Sequence, residues 1–122
     1  MRVLVVDDEI TFLLGLKKFL QEPEMSIDVS ETFDDAIALL KSRDYDFVIT
    51  DIRLTGALSE EGMDILKYLK VYKSGIKVIV ITGYGGREIM QKAYSLGADS
   101  YFEKPVSGST LLNAMKKLGA ER

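Results

Sequence analysis

Carboxylates, a hydroxyl and a lysine lie where short apolar runs of the chain end. In chain order these polar residues are Asp7, Asp8, Asp51, Thr82 and Lys104. Two carboxylates about 4 Å apart repel each other by about 4 kcal/mol at an effective dielectric constant of about 20. Carboxylates that converge therefore favour a bound cation, and Mg²⁺ prefers hard oxygen ligands of this kind. If the fold brings these residues together, we expect a site for a divalent cation.

The composition of the 122-residue chain excludes several kinds of chemistry. The chain has neither cysteine nor histidine, so it can form no disulfide, no Cys/His metal site and no triad with a histidine base. With 16 basic and 19 acidic residues, the formal charge is −3. Such a balance gives no electrostatic basis for direct binding of nucleic acid or of an anionic membrane. We therefore expect neither.

The apolar runs that precede the polar residues are typical of strands in a parallel sheet. Val3–Val6, Phe47–Ile49 and Val78–Ile81 are continuous and rich in β-branched residues, as expected for strands that are buried on both faces. Met25–Ser30 alternates between apolar and polar residues, which predicts a strand near an edge, and Asp99–Phe102 is a shorter candidate. The sequence thus predicts five strands.

Helical patterns lie between the predicted strands. Residues with helical spacing fall into five groups: Ile10, Leu13, Leu14, Lys17 and Leu20; Phe33, Ile37 and Leu40; Met63, Leu66, Leu69 and Lys70; Ile89, Met90, Ala93 and Leu96; and Leu111, Leu112, Met115 and Leu118. Thr32 and Ser107 are predicted to cap the second and fifth helices, and Gly97 to end the fourth. Alternating strands and helices predict an α/β fold with an open, doubly wound sheet. Ligands of such sheets bind beyond the carboxyl ends of the strands, where the strand order reverses.

The length of the chain fits one domain, residues 1–122. The longest apolar run, Val78–Ile81, is too short to cross a bilayer. A strand pattern begins within two residues of the N-terminus, which leaves no room for a signal peptide. We therefore expect a cytoplasmic protein.

The segments VLVVDDE, FVITDIRL, VIVITG and YFEKP together resemble the receiver domain of bacterial two-component response regulators. They follow the order and spacing of that family and cover essentially the whole chain. The resemblance implies a (βα)5 flavodoxin-like sandwich whose five-stranded parallel sheet has the order 2-1-3-4-5. It also implies a domain that accepts a phosphoryl group from a sensor histidine kinase or a phosphotransfer protein. Such a domain catalyses only its own phosphorylation and dephosphorylation.

The resemblance assigns roles to the acidic residues. Asp51 would be the nucleophile that takes the phosphoryl group as an aspartyl phosphate. Asp8 and Asp51, with the backbone carbonyl of Arg53, would bind Mg²⁺, or Mn²⁺ in its place, and Asp7 would assist. The alternative interpretation of Asp7 and Asp8 is helix capping before Ile10. For Asp51 it is a carboxylate that merely ends a buried strand.

The resemblance also implies a switch. Lys104 would contact a phosphoryl oxygen, with the Lys104–Pro105 bond in the cis form, and Thr82 would donate its hydroxyl to the phosphoryl group. Tyr101 would turn inward in the active state. The output surface would comprise the fourth helix, the fifth strand and the fifth helix, and it would bind an effector or form a phosphorylation-dependent homodimer. The alternative interpretation of Lys104 is a solvated loop lysine. For Thr82 and Tyr101 it is an ordinary residue of a strand. No effector domain follows Leu118, so we expect a stand-alone regulator or a piece of a larger one.

The chain departs from the family after Asp51. Thr55 replaces a proline, and the glycine of this loop is Gly62, which indicates an insertion of about three residues.

Two other classes of protein remain as alternatives. A phosphatase of the haloacid dehalogenase type would need an acid where this chain has Arg53, and would carry its nucleophile on the first strand. A flavodoxin-like cofactor binder would need a phosphate-binding loop after the first strand, where this chain has acidic residues.

Overall fold

The computed structural model describes residues 1–20, 25–52, 61–83 and 85–119. Its five strands all run parallel and form one sheet of order β2-β1-β3-β4-β5. The strands are β1 (Arg2–Val6), β2 (Ser26–Ser30), β3 (Phe47–Asp51), β4 (Lys77–Thr82) and β5 (Ser100–Glu103). The predicted fold class and strand order are therefore confirmed, and the alternating strand β2 lies at an edge.

Five helices alternate with the strands. They are α1 (Ile10–Leu20), α2 (Phe33–Ser42), α3 (Glu61–Tyr72), α4 (Arg87–Ser95) and α5 (Gly108–Gly119). Thr32 caps α2 by accepting a hydrogen bond from the amide of Asp35, and Ser107 caps α5 by accepting one from the amide of Thr110. Gly97 ends α4 with φ of 109°, a conformation that glycine adopts without steric cost. All three predicted helix boundaries are confirmed. No helix among the described residues is long and apolar enough to cross a membrane.

The sheet separates two hydrophobic cores. Helices α2, α3 and α4 pack on one face through residues such as Leu40, Leu66 and Ala93. Helices α1 and α5 pack on the other face through residues such as Leu16 and Met115. Because β1, β3 and β4 are covered on both sides, their continuous apolar runs are buried.

Only some of the residues that mark α1 in the sequence are buried. Ile10 and Leu14 fit the helical spacing, but their side chains are exposed, at 53% and 56%. The buried residues are Leu13, Leu16 and Leu20. Apolar residues cover a wide arc of this helix, so periodicity alone did not determine which of them would face the sheet.

A charged cluster on β2 stabilises the edge of the sheet. Asp28 accepts hydrogen bonds from the Tyr45 hydroxyl at 2.6 Å and from the Arg43 guanidinium at 2.9 Å. Burial acts to raise the pKa of Asp28, but these two bonds and the charge of Arg43 outweigh it, so the pKa lies below its usual range. A carboxylate with a lowered pKa stabilises the fold above its ordinary pKa, and this contribution is lost as the pH falls through the lowered value.

We expect Asp28→Asn to lower the free energy of unfolding by about 1–2 kcal/mol at about pH 7, because a charged acceptor is replaced by a neutral one. Urea unfolding at a series of pH values measures this loss. The difference between the variant and the wild type should narrow as the pH falls through the lowered pKa of Asp28, because protonation of the carboxylate removes the charged acceptor. A difference that stays constant over this range would contradict the assignment.

Candidate functional site

The acidic residues at the ends of β1 and β3 converge at the carboxyl edge of the sheet. These two strands are neighbours, with Val6 opposite Thr50, so that Asp7 and Asp51 follow at the same level. One carboxylate oxygen from each of Asp7, Asp8 and Asp51 lies within 4.8 Å of the others. The fold therefore brings together three of the residues that the sequence proposes as metal ligands.

Asp7 is fully buried, and donors from the chain hold both of its carboxylate oxygens. Its Oδ1 accepts a hydrogen bond from the amide of Glu9 at 2.9 Å, and its Oδ2 accepts one from the Lys104 ammonium at 2.7 Å. Burial raises the pKa of Asp7, and the charge of Asp51 raises it further, whereas the two hydrogen bonds act to lower it. The side chain of Asp7 is thus fixed in position beneath the cluster.

Asp8 lies on the exposed side of the cluster. Burial raises its pKa, and the charge of Asp51 raises it further. Both effects disfavour the ionised form, whereas a bound divalent cation would favour it. Three carboxylates within reach of one another fit a hard cation with oxygen ligands.

Lys104 follows β5 and places its ammonium among the carboxylates. Its Nζ lies 2.7 Å from Asp7 Oδ2, 2.7 Å from Glu9 Oε1 and 3.2 Å from Asp51 Oδ2. It also lies 4.6 Å from the centre of the Phe12 ring, within the range of a cation–π contact. Burial acts to lower the pKa of Lys104, but the hydrogen bonds and the nearby carboxylates outweigh it, so the pKa lies above its ordinary value. The ammonium is therefore charged at neutral pH.

Thr82 ends β4 beside this cluster and is fully buried. Thr82 directly follows Ile81, which lies opposite Asp51 on β3. The carbonyl of Thr82 accepts a hydrogen bond from the amide of Lys104 at 2.8 Å. The Lys104–Pro105 peptide bond is cis, as the resemblance implies. The ends of β3, β4 and β5 thus present Asp51, Thr82 and Lys104 at one edge.

Tyr101 lies in β5, half-buried against the core formed with α2, α3 and α4. Its hydroxyl accepts a hydrogen bond from the amide of Gly86 at 3.2 Å and donates one to Glu103 Oε2 at 3.1 Å. Burial raises the pKa of Tyr101, and the bond to Glu103 raises it further. A side chain at Gly85 would overlap the Tyr101 hydroxyl. The tyrosine therefore bonds to the loop before α4 and to the last residue of its own strand.

Gly62 connects α3 closely to the end of β3. Its amide donates to the carbonyl of Ile52 at 2.9 Å. A methyl group at Gly62 would overlap the carbonyl oxygen of Asp51 and lie 2.5 Å from Ile52 Cα. Only a residue without a side chain fits here. Arg53 and Thr55 lie outside the described residues, so the predicted metal-binding carbonyl and the predicted insertion receive no structural account.

Two residues that contact Lys104 could not be identified from the sequence. They are Glu9 and Phe12. Glu9 is separated from Lys104 by 95 residues, and only the fold brings the two together. The one indication in the sequence is that Glu9 directly follows Asp7 and Asp8 and so continues the acidic run. For Phe12, the α1 pattern offers no reason to separate it from the other apolar residues of that helix.

Comparisons with known proteins agree with this geometry. The family model described as the response regulator receiver domain matches residues 3–116. The chain is 28% identical over 120 residues to the acid tolerance regulatory protein ActR of Rhizobium meliloti, in a match that covers 98% of this chain and 60% of ActR. The chain thus spans less than two thirds of the length of the first curated relatives that it matches.

Two solved structures share the architecture. One is a response regulator receiver domain protein (CheY-like) from Methanospirillum hungatei JF-1, with a TM-score of 0.89, 28% identity and coverage of 98% of this chain and 94% of that chain. The other is a response regulator protein from Burkholderia pseudomallei with a phosphorylated aspartic acid, calcium ion and citrate. It has a TM-score of 0.83, 25% identity and coverage of 98% of this chain and 72% of that chain. The family match over nearly the full length, together with the strand order and the edge at which the carboxylates meet, shows that this chain belongs to the receiver domains of two-component response regulators.

Proposed function

We propose that Asp51 is the phosphoacceptor of this receiver and that residues 1–122 act as one phosphorylation-dependent domain. The observation that carries the proposal is the position of Asp51: its side chain is 5% exposed, it lies beside Asp7 and Asp8, and its Oδ2 is 3.2 Å from the Lys104 ammonium. A carboxylate in this position has a cation on one side and a cluster fit for a metal ion on the other. The phosphorylated aspartic acid in the Burkholderia pseudomallei structure supports the same chemistry.

The transfer needs no base from this chain. An oxygen of the Asp51 carboxylate attacks the phosphorus of a phosphohistidine on a partner kinase or phosphotransfer protein. The new O–P bond forms as the P–N bond breaks, and the leaving imidazole nitrogen keeps the electron pair. Because a carboxylate oxygen can itself attack phosphorus, the chain contributes position and charge. The histidine has to come from the partner, since this chain has none.

Asp8 and Asp51 would hold Mg²⁺, or Mn²⁺ in its place, and Asp7 would assist from beneath. The bound cation would neutralise charge on the phosphoryl group during transfer. Asp7 also orients the Lys104 ammonium, to which it is bonded at 2.7 Å. Lys104 binds a phosphoryl oxygen from the opposite side. The Lys104 ammonium, the Thr82 hydroxyl and the cation that the carboxylates would hold together provide positive charge and a hydrogen-bond donor around the phosphoryl group.

Phosphorylation would act on the surface formed by α4, β5 and α5. Thr82 would move towards the phosphoryl group, and Tyr101 would exchange its bonds to Gly86 and Glu103 for an inward position. Such a change is a shift between two populated states, driven by contacts that only one of them makes. The changed surface would bind an effector protein or domain or a second copy of the chain, in the cytoplasm. Apart from its own phosphorylation and dephosphorylation, the domain would catalyse no reaction.

We expect the wild type to gain one phosphoryl group per chain from acetyl phosphate with Mg²⁺, and Asp51→Asn to gain none, because the amide nitrogen and oxygen are poor nucleophiles. Intact-protein mass spectrometry measures the gain. The matched control is Asp44→Asn, which removes the same charge from a side chain that is 98% exposed and should leave the gain unchanged. Labelling of Asp51→Asn to the level of the wild type would refute the proposal. Repeated release of phosphate from a monoester would favour a phosphatase instead.

A further inference from the structure

The three N–H donors of the Lys104 ammonium are all in use. An ammonium offers three donors, and the three acceptors within hydrogen-bond distance are Asp7 Oδ2, Glu9 Oε1 and Asp51 Oδ2. A phosphoryl group that approaches the Asp51 carboxylate would bring a further acceptor for the same ammonium before the O–P bond forms. Lys104 can therefore bind the phosphoryl group well only if one of the present bonds is given up.

The three acceptors differ in how easily they can be released. The side chain of Asp7 is fully buried and that of Asp51 is 5% exposed, whereas that of Glu9 is 63% exposed. A buried carboxylate that loses its donor has no water to replace it, and this costs free energy. When the bond to Lys104 breaks, the exposed carboxylate of Glu9 would form hydrogen bonds with water instead. The bond that should break is therefore the one between Lys104 and Glu9, although at 2.7 Å it is as short as the bond to Asp7.

The surroundings place Glu9 on the side that is open to solvent. A surface cavity is lined by Glu9, Phe12, Gly83, Lys104, Pro105 and Val106. The Lys104–Glu9 pair lies at this cavity, next to Asp51. The negative charge of Glu9 also faces a region in which a phosphoryl group would add negative charge, so that both the bond and the charge of Glu9 oppose the phosphorylated state.

We propose that Glu9 is a positioning residue that holds the Lys104 ammonium in the unphosphorylated form and has to release it before Lys104 can bind a phosphoryl oxygen. The inference rests on the proposed phosphorylation of Asp51. Glu9 then sets part of the energy difference between the two forms of the domain. It touches neither the attacking oxygen nor the phosphorus, and it acts only through Lys104.

The test compares Glu9→Gln with the wild type. With the charge removed and the bond to Lys104 weakened, the rate constant for phosphorylation by acetyl phosphate at saturating Mg²⁺ should rise about fivefold. This factor corresponds to about 1 kcal/mol, the upper end for an exposed ion pair. Glu9→Asp keeps the charge but is too short for the bond, and it should also be faster than the wild type. Asp64→Asn is the charge-matched control, since its side chain is 57% exposed and pairs with Lys67.

A second readout does not depend on phosphorylation. Nuclear magnetic resonance of the Lys104 ammonium in EDTA should show faster hydrogen exchange in Glu9→Gln than in the wild type, because one acceptor is weakened. If the wild type is phosphorylated on Asp51 but Glu9→Gln is no faster, the role of Glu9 is refuted while the phosphoacceptor proposal stands. Rates for Glu9→Asp equal to the wild type would reduce the effect to charge and overturn the positioning role. A wild type that takes no phosphoryl group on Asp51 would overturn both proposals, even if the exchange rates differ.

Discussion

Replacement of Lys104 with methionine is expected to lower the free energy of unfolding in EDTA by about 3 kcal/mol, because it removes one partner of a buried charge cluster. Asp7 Oδ2, which is fully buried, would lose the ammonium that lies 2.7 Å away. Asp51 would lose a neighbouring positive charge at 3.2 Å. Methionine has nearly the length of lysine and no charge, so the packing against Phe12 should largely remain. Urea unfolding followed by circular dichroism measures the loss.

Addition of Mg²⁺ should return more stability to Lys104→Met than to the wild type. A cation that binds the folded form stabilises it according to its concentration and affinity. Removal of the ammonium increases the repulsion among the carboxylates, and a bound cation relieves that repulsion. The matched control is Lys73→Met, which removes an ammonium 3.5 Å from Asp44, a side chain that is 98% exposed. An exposed pair contributes about 0–1 kcal/mol, so this control should change little. Equal losses in the two variants, or no added effect of Mg²⁺, would count against the cluster as a cation site.

Replacement of Gly62 with alanine should be nearly as damaging, with a loss of about 3 kcal/mol, the upper end of the range for overpacking. The added methyl group would overlap the carbonyl oxygen of Asp51 and lie 2.5 Å from Ile52 Cα. Both contacts are with backbone atoms, which cannot rotate away as a side chain can. The end of β3 would therefore have to shift, and Asp51 with it. Displacement of a reacting group reduces the rate strongly, so phosphorylation by acetyl phosphate should be slower by about tenfold.

The control for Gly62→Ala is a glycine with open space around it. Gly15 lies within α1, and a methyl group there would meet nothing within 4 Å. Gly15→Ala should stabilise the protein by about 0.5–1 kcal/mol, because alanine favours the helix more than glycine does, and it should leave phosphorylation unchanged. Urea unfolding and the rate of phosphorylation are measured for both variants. If Gly62→Ala and Gly15→Ala change the free energy of unfolding in the same direction, a glycine is not required where α3 approaches β3.

Much of the fold follows from local patterns in the sequence. Val3–Val6 is apolar without interruption because β1 is covered on both faces, whereas a strand with one face in solvent would alternate between apolar and polar residues. The caps at Thr32 and Ser107 depend on residues within one turn, so the local sequence contains what is needed. These local patterns do not predict the order of the strands in the sheet. It came from the resemblance of four strand-end segments to one family.

The contacts within the site could be predicted only in part. The meeting of Asp7 with Asp51 follows from the rule that neighbouring parallel strands end at one edge. The pairing of Lys104 with Glu9 joins residues 95 positions apart, and it depends on where a long side chain points. No local pattern records that direction. The same is true of α1, where Leu14 and Leu16 are equally apolar and only the packed structure shows which one is buried.

The bond between the Ile52 carbonyl and the Gly62 amide has a consequence for how the chain can vary. Ile52 directly follows β3 and Gly62 lies in the first turn of α3, so the bond joins the two ends of the segment between these elements. The entropy lost on closing a flexible loop grows only with the logarithm of its length, so that about three added residues in a loop of this size cost only about 0.4 kcal/mol. Chain entropy therefore hardly restricts the number of residues that can separate Ile52 from Gly62.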